Sequence, residues 1–80
     1  MSEKKEVKRM KFRIYLETLS DVNRFVGIAS TLEGVSVRLV DNTGFCVNAK
    51  SIFGAICSME FEEIWLVSDK DVYSKFAEFA

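Results

Sequence analysis

The chain is 80 residues long, 49% apolar, with seven Phe and no Pro, and its formal net charge is −1. That is enough apolar material for one small core without metal or disulfide staples, and too little for two domains. The near-neutral charge excludes a general affinity for nucleic acid or membrane surfaces, and no apolar run approaches the roughly 20 residues that span a bilayer.

Residues 1–11 set Lys4, Lys5, Lys8, Arg9 and Lys11 against Glu3 and Glu6. No aromatic residue is interleaved with them, so they read as a solvated arm rather than an anion-binding segment. A single domain is expected over residues 12–80. Residues 12–17 alternate, with Phe12, Ile14 and Leu16 on one face and Arg13, Tyr15 and Glu17 on the other, which predicts a half-buried strand. Ser20 is a competent N-cap, and Asp21 suits the positive end of a helix dipole. Val22, Phe25, Val26, Ala29 and Leu32 then recur at helical spacing, and Gly34 reads as the helix stop.

A second alternating run places Val35, Val37 and Leu39 inward. Asp41-Asn42-Thr43-Gly44 is hairpin chemistry, and Phe45, Val47 and Ala49 form the return strand. Ser51 caps a second helix predicted to reach about Met59. Residues 62–67 make a fourth strand with Ile64 and Leu66 inward. Ser68 with Asp71 resembles a capping box, and Val72, Phe76 and Phe79 line the last helix. The order β-α-β-β-α-β-α predicts an α+β fold, a four-stranded antiparallel sheet with its helices on one face. Arg13, Tyr15, Arg38, Val40, Trp65 and Val67 fall on the other face. If the first and fourth strands are neighbours, Tyr15 and Trp65 lie side by side, a patch suited to self-association as a homodimer.

Chemistry is sparse. Cys46 and Cys57 lie eleven apart in a chain without histidine, so there is no zinc spacing and no CxxC pair. No signal peptide is evident, and the thiols are expected to be reduced and packed in a cytoplasmic protein. Glu60, Glu62 and Glu63 read as a solvated turn, with no calcium-loop spacing. No metal or cofactor is expected. An enzyme using Asp21 or Cys57 has no visible base or metal to work with.

The run Val47-Asn48-Ala49-Lys50-Ser51-Ile52-Phe53-Gly54-Ala55-Ile56, together with the element order, resembles the HPr phosphocarrier proteins of the bacterial phosphoenolpyruvate-dependent sugar phosphotransferase system. The resemblance implies an open-faced β-sandwich over roughly residues 12–79, with the near-identical motif confined to about ten residues. It implies that Ser51 matches the family's regulatory serine, and that Ile52, Phe53 and Ile56, beside Lys50, occupy partner-docking positions. The family's phosphoryl-carrying histidine would fall on Asp21 or Ser20, and this chain has no histidine. The expectation is therefore a non-catalytic HPr-like interaction or regulatory domain, binding a protein partner and unable to relay phosphate on histidine. The alternative is a small-molecule-binding regulatory module of the ACT or ferredoxin-like type. Strand order separates them: the first strand neighbours the fourth in the HPr sandwich and the third in the ferredoxin-like sheet.

Overall fold

The computed structural model describes residues 10–80. Most of the arm, residues 1–9, lies outside the described residues, while Met10 and Lys11 already belong to the first strand. The elements are β1 (Met10–Ile14), α1 (Leu19–Ser30), β2 (Val37–Val40), β3 (Cys46–Asn48), α2 (Ile52–Ser58), β4 (Ile64–Ser68) and α3 (Tyr73–Phe76), the last running into a 3₁₀ turn at Ala77–Phe79. Four antiparallel strands form one sheet in the order β1-β4-β2-β3. β1 therefore lies at an edge beside β4, and the neighbouring of first and third strands that a ferredoxin-like sheet needs is absent.

Alternation along the strands decides the two faces. Ile14, Val37, Leu39, Ile64 and Leu66 are buried beneath the helices. Val22, Phe25 and Ala29 come down from α1 to meet them. The C-terminal segment completes this core with Val72, Phe76 and Phe79, all buried. Phe25 is the hub, its ring 4.9 Å from Phe76 and 5.5 Å from Phe79.

Several boundaries differ from the sequence expectation, each for a local reason. β1 runs two residues earlier and leaves the ladder at Ile14, because its partner β4 begins at Ile64 directly opposite. Beyond that point the Tyr15 N–H donates to the Phe79 carbonyl at 2.7 Å. α1 is capped by Thr18 rather than Ser20, since only Thr18 has an acid three residues on to reciprocate. α1 ends at Ser30, so Gly34, at φ +76°, turns the following loop rather than stopping the helix. Ser68 is buried as the last residue of β4, paired with both Met10 and Val37, and so cannot cap α3. Its hydroxyl instead donates to the Lys70 carbonyl and accepts from the Lys70 N–H. The terminal helix is shorter than its apolar spacing suggested, one α turn followed by a 3₁₀ turn.

Candidate interaction surface

α2 is built by a chain of local hydrogen bonds that uses most of the Asn48–Gly54 run. The Asn48 side-chain oxygen accepts from the Lys50 N–H at 2.9 Å, and its backbone carbonyl accepts from the Ser51 N–H. Ser51 then caps the helix, its Oγ accepting from the Gly54 N–H at 3.2 Å. This satisfies one of the orphan donors of the first turn. The Lys50 ammonium does not flank Ser51. It donates to the Leu32 carbonyl at 2.7 Å, tying the entry of α2 to the loop after α1. At Gly54, a Cβ would stand 2.7 Å from the Asn48 carbonyl oxygen. Only glycine permits so close an approach of α2 to the end of β3.

That approach leaves no depth for large side chains beneath α2. The helix buries Ala55 and Ser58, whose hydroxyl donates to the Ala55 carbonyl at 2.6 Å. Its large apolar residues face outward, Ile52 at 38% exposure, Phe53 at 78% and Ile56 at 40%. Cys57, two residues on from buried Ala55, is exposed as well, contrary to the expected packed thiol. The surplus of apolar residues in this stretch is thus real surface.

The start of α1 is held by its own capping box. Thr18 Oγ1 accepts from the Asp21 N–H at 3.1 Å, while Asp21 Oδ2 accepts from the backbone of Glu17 at 3.0 Å and Thr18 at 3.2 Å. Asp21 Oδ1 meets the Arg24 guanidinium at 3.2 Å, and Arg24 continues to Glu78 at 3.1 Å. The Glu17 N–H above all, then the Thr18 N–H and Arg24, hold the Asp21 carboxyl below its ordinary value. Ser20, once a candidate cap, is simply exposed in the first turn. Leu19 beside it is exposed at 60%.

The outer face of the sheet carries two cross-strand rows. One runs Lys11, Val67, Arg38, Asn48; the next runs Arg13, Trp65, Val40, Cys46. Tyr15 and Trp65, the pair expected to favour self-association, are both approached by one cation. The Arg13 guanidinium lies between them, 5.1 Å from the Tyr15 ring and 6.0 Å from the Trp65 ring. The Lys11 ammonium also sits over Trp65, at 5.1 Å. Cys46 is exposed on this face, 3.9 Å from the Arg38 guanidinium, so it too is not a core thiol. Glu62 and Glu63 are separately engaged, by the Asn42 amide and the Trp65 indole N–H. No group of metal-ligating side chains occurs among the described residues. No helix among them is long and apolar enough to cross a membrane.

Comparison of the chain with protein-family models, with curated proteins and with solved structures finds no match.

Proposed function

We propose that the protein is a non-catalytic, HPr-like interaction domain that docks a cytoplasmic protein partner through the exposed apolar residues of α2. The observation that carries this reading is the inversion of α2, which buries Ala55 and Ser58 while presenting Ile52, Phe53 and Ile56 to solvent. Exposed large side chains grouped on one short helix are a recognition feature rather than a packing one. Two further observations support the family reading. β1 neighbours β4, as in the HPr sandwich. Ser51 caps the second helix, as the family's regulatory serine does.

The phosphoryl relay of the family has no carrier here, because the chain contains no histidine. At the N-terminus of α1, where the family holds that histidine, the capping residue is Thr18, and Asp21 is occupied by backbone donors and Arg24. Regulation falls to Ser51. A phosphate there adds roughly −1.5 to −2 charges immediately before Ile52 and Phe53. Lys50 is engaged on Leu32 and does not offset them.

Amide-shift titration with an HPr-type serine kinase tests this reading. Binding should perturb α2 and be lost in Phe53→Ala with the fold intact, and the kinase should add one phosphoryl group at Ser51. Shifts absent from α2 would sink the proposal.

A further inference from the structure

The outer sheet face is a second surface, on the side of the sheet away from α2, and its charge differs from that of the rest of the molecule. Residues 10–80 contain seven Lys and Arg against ten Asp and Glu. Three of those cations, Lys11, Arg13 and Arg38, stand in the two outer-face rows, which contain no acid at all. Both side-chain ion pairs among the described residues belong to Arg24, so none of the three meets a carboxylate there. Between them lie Trp65, Val40 and Val67, each partly exposed. Arg13 Nε is shielded from water without a hydrogen-bond partner. The acids that flank β4 are already in use, Glu63 on the Trp65 indole and Asp69 on the Ser36 N–H.

We propose that this face binds an acidic protein segment, one whose carboxylates meet Lys11, Arg13 and Arg38 while its apolar side chains cover Val40 and Val67. Charge complementarity selects this occupant. A second copy of the chain would bring the same three cations against these three, so the face opposes its own duplication. Residues 1–9 carry four cations against two acids and are no complement either. Single-stranded nucleic acid binds such sheets by stacking bases on bare aromatic faces. Here the Trp65 ring is already covered by Lys11 and Arg13. Carboxylates need no bare ring; they pair with the cations that cover it.

The chain has one tryptophan, so Trp65 emission reports this face directly. The probe is a short synthetic peptide alternating Glu and Leu, added to the full chain at low salt. A saturable change in Trp65 emission is expected, weakened about tenfold or more in the double variant Lys11→Glu, Arg38→Glu. It should vanish near 1 M salt, where the screening length is about 3 Å. Phe53→Ala should bind the peptide unchanged, which separates this surface from the one on α2. Should the double variant lose its native circular dichroism, amide shifts of the unmodified protein confined to β1, β2 and β4 serve instead. Unchanged emission, full binding by a folded double variant, loss of binding in Phe53→Ala, or stronger binding of an oligothymidylate or of phosphatidylglycerol vesicles would each overturn the proposal.

Discussion

α1 and α2 lie on the same side of one sheet and solve opposite problems. After Leu19, which is exposed, the twelve-residue α1 turns its large side chains down, Val22 and Phe25 buried, with Ser20, Asn23 and Arg24 in solvent. α2 has seven residues and does the reverse. The difference lies in depth. α1 stands far enough above the sheet to house an aromatic ring, whereas α2 is drawn against the end of β3 at Gly54, and only Ala55 and Ser58 fit beneath it. Hydrophobicity alone therefore does not say which way a side chain points; the room under the helix does.

Truncation should separate the two helices most sharply. Phe25→Ala removes the ring at the hub and should cost about 3–5 kcal/mol. Phe53→Ala should cost less than about 0.5 kcal/mol, as surface changes do. Urea midpoints would measure both, and comparable losses would mean that α2 is not inverted. A smaller but opposite-signed pair comes from the glycines. Gly54→Ala forces a Cβ against the Asn48 carbonyl and should destabilise by about 1–3 kcal/mol. Gly27→Ala in α1 meets nothing within 4 Å and should stabilise by about 0.4–1 kcal/mol. Thermal melts giving the same sign for both would contradict the depth argument.

The caps should differ least at neutral pH, Thr18→Ala and Ser51→Ala each costing about 1 kcal/mol. Acid should tell them apart. The Asp21 pKa is lowered in the fold by the Glu17 N–H first, then Thr18 and Arg24. Its stabilising contribution is therefore complete above the ordinary aspartate value of about 3.9 and is lost as pH falls through the lowered one. Asp41, lowered chiefly by the Thr43 hydroxyl, adds a slope of the same sign. Urea midpoints against pH should flatten in Asp21→Asn and keep the full slope in Ser51→Ala. An unchanged slope in Asp21→Asn would remove the acid from the cap.

Much of this architecture was legible in the residues. Alternation identified the buried set Ile14, Leu39, Ile64 and Leu66, and the spacing of Val22, Phe25 and Ala29 gave the inner face of α1. The cap at Ser51 was equally readable, because serine before an apolar run has one economical role. What failed was decided by a competing partner, near in sequence or far from it. Ser20 lost to Thr18 through a reciprocal acid, and Ser68 was claimed by β4 before it could cap α3. The cysteines were misplaced because smallness suggested burial, while register put Cys46 on the outer face and Ala55 took the inner position near Cys57. The cations over Trp65 were hidden for a similar reason. Alternation placed Arg13 and Trp65 on one face, but only the β1–β4 register sets them directly opposite.

The strand order has a consequence for how the chain reaches this structure. β2 and β3 are joined by the Asp41–Gly44 turn and can pair on the hairpin timescale of about 1–10 μs. Among the described residues β1 has no neighbour except β4, and Phe12 must await Leu66, most of the chain later. Closure of that long loop, not helix formation, is the step expected to limit the folding rate. During synthesis β1 emerges before β4 and lacks that partner until β4 has followed. Pulse-labelled amide exchange during refolding should protect the β2–β3 ladder before the β1–β4 ladder; the opposite order would place the nucleus elsewhere.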